Sequence, residues 1–166
     1  MTDTYKEYPN RYLILLGFSL CTAINGCCWL SGPSIHDEMA IAYNASDTFL
    51  TFCGLVFMLT YVFFGFGANF IIQKYGLRIG ILAGIILTGI GMWIKVFVNS
   101  SKYLFMLGNT FAGLGQPFFL NSSSLLALTW FSDSSRALAT TCASMANNVG
   151  NAFGSMFPTF FVNKDQ

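Results

Sequence analysis

Five runs of mainly apolar residues, separated by short polar stretches, follow one another along the chain. An α-helix needs about 20 residues to cross the hydrocarbon core of a bilayer, and each run is at least that long. The first run lacks a small-residue cleavage site and is too long for the core of a signal peptide, so we interpret it as a retained span. Residues 1–11 would form a cytoplasmic leader and residues 162–166 a short tail. The pattern predicts a transmembrane domain over residues 12–161, with five helices at residues 12–35, 48–72, 77–98, 103–130 and 137–161.

The composition agrees with an all-α membrane protein. Of the 166 residues, 54% are hydrophobic and only 9% are charged, whereas about a quarter of the residues in soluble domains are charged. A net charge of +1 and the lack of any basic run argue against a nucleic-acid partner. We therefore expect a multi-pass protein of the plasma membrane or an organelle membrane, with the lipid bilayer as a partner.

The basic residues predict the orientation, because Lys and Arg next to a span favour the cytoplasmic side. With the N-terminus inside, Lys102 and Lys164 fall outside, and Lys95 would extend along the outer end of its helix. Two glycosylation sequons, at Asn44 and Asn99, fall on predicted outer loops. The basic residues on the inner side are Lys6, Arg11, Lys74, Arg78 and Arg136.

Polar amides interrupt the apolar pattern between residues 113 and 154. An unpaired amide in hydrocarbon is costly, so these side chains should face other helices or a water-filled cavity. They would either line a substrate pathway or supply hydrogen bonds between helices. The sequence leaves both roles open for each residue, although the clustering favours a site. The amides are Gln116, Asn121, Asn147, Asn148 and Asn151.

The first predicted helix carries a mixed polar and aromatic face. Thr22, Asn25 and Trp29 are spaced so that they share one side of the helix, where they are placed to line a cavity. Trp29 lies in the outer half of the span, and tryptophan is also common at the membrane interface. Its position alone does not separate these two roles.

The fourth predicted helix contains Gly113, Gly115 and Pro117, which weaken or remove backbone hydrogen bonds and predict a bend near mid-membrane. Asn109 and Gln116 share a face with Gly113 by helical periodicity. We therefore expect Gln116 to be the residue of this helix that meets a ligand.

The third and fifth predicted helices carry small residues on one side, which lets a neighbouring helix approach closely. On the third helix these are Gly80, Gly84, Gly89 and Gly91. On the fifth helix a ridge with a spacing of four residues lies beside a polar stripe. The ridge consists of Cys142, Ala146, Gly150, Gly154 and Pro158, and the stripe of Ser144, Asn148, Asn151 and Ser155.

The cysteines and the histidine do not form a pattern typical of an enzyme or a metal site. All five cysteines fall within apolar runs and none shows C-x-x-C spacing, so we interpret them as packing residues. No Ser/His/Asp set, HExxH motif or phosphate-binding loop is evident. His36, at the outer end of a helix, is expected to be solvated, with ligation of a haem iron as the alternative. The sequence thus predicts neither an enzyme nor a bound metal or cofactor.

Five short segments occur in an order that is typical of one transporter family. They are YPNRYLILLGFSL, NGCCW, GLGQPFFLN, WFSDSSRALAT and ANNVG. In this order they resemble the major facilitator superfamily and, within it, the feline leukemia virus subgroup C receptor family of solute carriers. The inner loop QKYGLR resembles the superfamily loop D-R/K-x-G-x-R/K and departs from it at Gln73, where aspartate is expected.

The resemblance implies a carrier of twelve helices in two halves that works by alternating access, with these five helices forming most of the N-terminal half. It implies a small organic solute such as choline or ethanolamine, or haem, and a C-terminal half or a partner chain that completes the carrier. Trp29 would contact the quaternary ammonium of choline, and Asn148 falls where relatives carry a ligand-contacting glutamine. A non-transporting membrane subunit or truncated paralogue with a structural role is the alternative.

The residues within the spans indicate how a cationic solute would be bound. The predicted spans contain no Asp or Glu, so a cation would rely on the face of Trp29 and on amide oxygens. The predicted substrate-binding residues are Trp29, Asn25, Gln116, Asn148 and Asn151.

Overall fold

The computed structural model describes residues 8–161, and within that range the chain is helical, without a β-strand. Two short 3-10 turns, Pro33–Ile35 and Val98–Ser100, connect helices. The predicted all-α fold is confirmed, and each of the five predicted spans corresponds to a helix or, for the fourth span, to two consecutive helices. The helices are α1 (Arg11–Leu30), α2 (His36–Tyr43), α3 (Asp47–Tyr75), α4 (Leu77–Val96), α5 (Lys102–Leu120), α6 (Ser123–Trp130) and α7 (Asp133–Phe161).

Three helical stretches of the described residues are long and apolar enough to cross a membrane, namely Arg11–Tyr43, Asp47–Tyr75 and Leu77–Val96. Much of their apolar surface faces outward. On α3, for example, the side chains of Phe63 and Phe66 are 76% and 86% exposed, which suits contact with lipid rather than water. The less apolar α7 carries the predicted polar stripe.

The fourth apolar run is divided between α5 and α6. Pro117 lacks an N–H group, so no backbone hydrogen bond can run from it to Gly113. The helix nevertheless continues to Leu120, and the interruption follows at Asn121 and Ser122, where the amide of Ser122 donates to the carbonyl of Phe119 at 3.2 Å. The break therefore lies beyond the predicted bend, at the first tightened turn after the proline.

Helices α4 and α5 pack closely through small residues. A Cβ atom added at Gly91 would lie 2.5 Å from the carbonyl oxygen of Gly108, and one added at Gly115 would lie 2.6 Å from Oγ1 of Thr88. Both distances are shorter than real Cβ contacts, so the two backbones approach each other because these side chains are absent. The predicted close packing of the third span is confirmed, although Gly89 faces open space.

Helices α1 and α7 pack in the same way along the predicted ridge. A Cβ atom at Gly154 would lie 2.5 Å from the carbonyl oxygen of Cys27, and one at Gly150 would overlap the carbonyl oxygen of Ala23. The atoms that these Cβ atoms would meet belong to the backbone, so they cannot move away by a change of rotamer as a side chain could. The ridge thus determines how closely α7 lies against α1.

Contacts at the ends of the helices show which segments lie together at each end of the bundle. At one end, the hydroxyl of Tyr43 donates to Oδ1 of Asn99 at 2.9 Å, and Nζ of Lys102 donates to the carbonyl of Asn44 at 3.0 Å. At the other end, the guanidinium of Arg11 lies 5.6 Å from the ring centroid of Phe131. The sequons therefore share one end, as the predicted topology requires. We call it the predicted outer end.

We expect a membrane-impermeant thiol reagent to label Asp37→Cys on intact cells and Asp133→Cys only after permeabilisation. Both side chains are well exposed, at 96% and 90%, and the basic residues place Asp133 inside. The unsubstituted chain gives the background from the native cysteines. Labelling of both variants on intact cells would contradict the N-in orientation.

Candidate functional site

Asn25 lies at the centre of the helix bundle. Its side chain is 0% exposed, and Nδ2 donates to Oγ1 of Thr88 and to the carbonyl of Ala112, both at 2.9 Å. Both amide hydrogens are therefore engaged in joining α1 to α4 and α5, while Oδ1 has no hydrogen-bond partner among the described residues. This geometry is hydrogen bonding between helices, whereas the sequence placed Asn25 on a face expected to line a cavity.

Asn109 has a similar role on the other side of α5. It is 0% exposed, its Nδ2 donates to the carbonyl of Cys53 at 3.1 Å, and its Oδ1 has no partner within residues 8–161. The sequence placed Asn109 on the Gln116 face but did not identify Thr88 as the partner of Asn25. The sequence could have indicated Thr88 as a buried partner, because it lies between Gly84 and Gly91 on the small-residue face that meets α5.

Trp29 is half-buried and stacks on Phe57 of α3, with ring centroids 6.0 Å apart and an interplanar angle of 19°. Phe57 itself is 0% exposed and packs with Cys28 and Ala112. The indole is thus held at the edge of a small apolar cluster, and part of it remains uncovered. Such an aromatic surface can accept a cation.

Gln116 is largely buried on α5, at 8% exposed. Three residues earlier on α5, Gly113 lies against the backbone of Phe57. Gln116 therefore lies about one helical turn from the contact with α3 that also supports Trp29.

The α7 amides point in different directions. Asn147 is buried against Gly26 of α1, and Nδ2 of Asn151 donates to Oδ1 of Asn147 at 3.4 Å. Asn148 is exposed, with Nδ2 lying 3.8 Å from Sδ of Met145. The structure thus brings Asn151 to α1, one turn before Trp29, and leaves Asn148 on the open side of α7. Which of the five residues bind substrate stays a prediction.

Metal-ligating side chains are scattered. Within residues 8–161, no group of three or more His, Cys, Asp or Glu side chains is placed to hold a metal ion. The ring of His36 lies beside the carboxylate of Asp37, with Nδ1 and Oδ1 3.3 Å apart. His36 is the first residue of α2, and its side chain is 28% exposed.

Comparison with known proteins identifies similar chains. The sequence profile of the Major Facilitator Superfamily matches residues 14–164. The chain is 31% identical over 157 residues to the choline/ethanolamine transporter FLVCR1 of Mus musculus, covering 93% of this chain and 28% of the relative. It is 28% identical over 159 residues to an uncharacterized MFS-type transporter of Caenorhabditis elegans, covering 95% and 27%. It is 26% identical over 172 residues to solute carrier family 49 member A3 of Xenopus tropicalis, covering 98% and 36%. The chain therefore spans about a third or less of the length of these relatives.

Proposed function

The chain belongs to the major facilitator superfamily of multi-pass membrane transporters, and from this we propose that it forms the N-terminal part of a carrier for a small organic cation such as choline. The choline/ethanolamine transporters among its relatives support this class of solute. The observation that carries the proposal is the partly uncovered indole of Trp29, stacked on the buried ring of Phe57.

A cation in this part of the carrier would be stabilised without a carboxylate. The only acidic residues in α3 and α7 are Asp47 and Asp133, each the first residue of its helix, and α1, α4, α5 and α6 contain none. A cation–π contact contributes about 0.5–2 kcal/mol. Quaternary ammonium groups bind their water more weakly than primary ones do, so an aromatic face and amide oxygens favour choline over ethanolamine.

Each predicted site residue has a specific proposed role. Trp29 contacts the cation, while Gln116 and Asn148 supply amide oxygens from α5 and α7. Asn151 supports the same region from its position against α1. Asn25 holds α1 in place through Thr88 and Ala112, and its Oδ1 accepts no hydrogen bond from the described residues. In a facilitator the site lies between two halves, so the second half or a partner chain would complete it.

A non-transporting membrane subunit is the second candidate. The close glycine contacts and the engaged amides of Asn25 and Asn109 show that polar groups of these helices already serve packing. A chain with only this role would keep its helix contacts without moving solute. Uptake assays separate the two candidates.

The test is a chimera in which this chain replaces the matched segment of the Mus musculus choline/ethanolamine transporter. We expect saturable uptake of labelled choline by cells that express the chimera, and none by liposomes that contain the 166-residue chain alone. The chain alone should fail because the open sides of α1, α5 and α7 lack the second half.

Two results would contradict this proposal. Saturable uptake by the monomeric chain would show that a second half is unnecessary. The subunit role would be favoured if the chimera reaches the cell surface but transports no choline, while the parent transporter assayed in parallel is active.

A further inference from the structure

Lys95 is a basic residue inside the helical bundle, near the predicted outer end. The sequence predicted that its side chain would extend along the outer end of its helix. In the structure Nζ donates to the carbonyl oxygen of Cys28 at 2.8 Å and lies 5.2 Å from the ring centroid of Phe105. The ammonium therefore turns toward α1 and α5.

The positive charge of Lys95 has no partner of opposite charge among the described residues, where it forms no salt bridge with a carboxylate. A lysine ammonium has three hydrogen-bond donors, and the Cys28 carbonyl accepts one of them. Because an unpaired cation in apolar surroundings is costly, the remaining donors favour a bound anion.

Two cavities meet at this side chain. One, of about 300 Å³, is lined by Ser31, Tyr43, Lys95 and Phe105, among others, and this volume lies at the lower end of the range of ligand sites. The other, of about 430 Å³, runs between α1 and α4 and shares Ser31 and Lys95 with the first. The hydroxyl of Ser31 donates to the same Cys28 carbonyl at 3.2 Å.

The larger cavity has mainly apolar walls. The larger one is lined by Ile24, Met92 and Val96, whose side chains are 49%, 44% and 66% exposed on the outside of the bundle. A hydrocarbon chain fits this groove. The Lys95 ammonium, which also lines the groove, favours a negatively charged group next to it.

We propose that Lys95 binds the phosphate of an anionic membrane phospholipid, with an acyl chain lying in the groove between α1 and α4. Charge complementarity selects the head group, since a choline head group would bring a second cation close to Lys95. This site is separate from the Trp29–Phe57 pair and does not depend on the proposed substrate.

Native mass spectrometry tests the site. The purified chain, in uncharged detergent, is offered an equimolar mixture of phosphatidylglycerol and phosphatidylcholine with identical acyl chains. We expect the chain to retain phosphatidylglycerol preferentially. Lys95→Met should reduce this preference about tenfold, the factor expected for loss of one charge-assisted hydrogen bond, whereas Lys95→Arg should keep most of it.

Lys102 provides a matched control. Its Nζ also donates to a backbone carbonyl, that of Asn44 at 3.0 Å, and lies 5.9 Å from the ring centroid of Phe49, but it lines neither cavity. Lys102→Met should leave the preference unchanged. Equal loss in the Lys95→Met and Lys102→Met variants, or no loss in either, would overturn the proposal.

A second measurement needs no variant. The thermal unfolding midpoint of the unsubstituted chain is compared in phosphatidylglycerol, phosphatidylcholine and inorganic phosphate at matched concentrations. A larger increase with phosphatidylglycerol supports the site. An equal increase with phosphatidylcholine excludes selection by charge, and an equal increase with inorganic phosphate excludes a lipid ligand.

Discussion

Gly150→Ala should destabilise the bundle by about 1–3 kcal/mol, the usual cost of overpacking. The added methyl group would overlap the carbonyl oxygen of Ala23 on α1, and relieving that overlap requires the two backbones to separate. Separation would also loosen the neighbouring contact between Gly154 and Cys27. The thermal unfolding midpoint in detergent should fall by about 2–4 °C for each kcal/mol lost.

Gly67→Ala is the matched control for this change. Gly67 lies within α3, and a Cβ atom there would meet nothing within 4 Å. Because alanine is a better helix former than glycine by up to about 1 kcal/mol, this variant should be as stable as the unsubstituted chain or more so. Equal stability of the two variants would show that α7 does not lie against α1 as described.

The sequence predicted the helices and their packing faces because both depend on local patterns. Length and apolarity define a span, and a spacing of four residues places Gly150 and Gly154 on one side of α7 whatever that side meets. The interruption at Asn121 was not predictable in the same way. Pro117 removes one hydrogen bond, but the position where the helix ends also depends on tertiary contacts. One of them is the hydrogen bond that the hydroxyl of Tyr61 on α3 donates to Oδ1 of Asn121 at 3.4 Å.

The candidate site was only partly predictable, because periodicity shows which residues share a face but not which neighbour that face contacts. Asn25 and Trp29 lie one turn apart on α1, yet Asn25 bonds to α4 and α5 while Trp29 stacks on α3. Similarly, nothing in the sequence shows that Lys95 reaches the Cys28 carbonyl. These contacts depend on how the helices rotate and pack against one another.

Trp29→Ala should weaken the apparent affinity of the chimeric carrier for choline by about 1–3 kcal/mol, or about five- to 150-fold. The substitution removes both the π surface that faces the cation and the apolar area that covers its methyl groups. Trp29→Phe should retain part of each contribution and give an intermediate affinity. Affinity is measured by competition of unlabelled choline against uptake of labelled choline at matched surface expression.

Trp93→Ala separates this effect from general loss of an aromatic side chain. Trp93 lies on α4 and is 71% exposed, so its replacement should leave choline affinity unchanged while removing a side chain of the same size. Trp29 also stacks on Phe57, and a purely structural role would lower surface expression and maximal uptake rather than affinity. The role of Trp29 as the cation contact therefore requires that apparent affinity fall in the order Trp, Phe, Ala. Equal affinity in all three would identify Trp29 as a packing residue and leave the choline proposal without its principal contact.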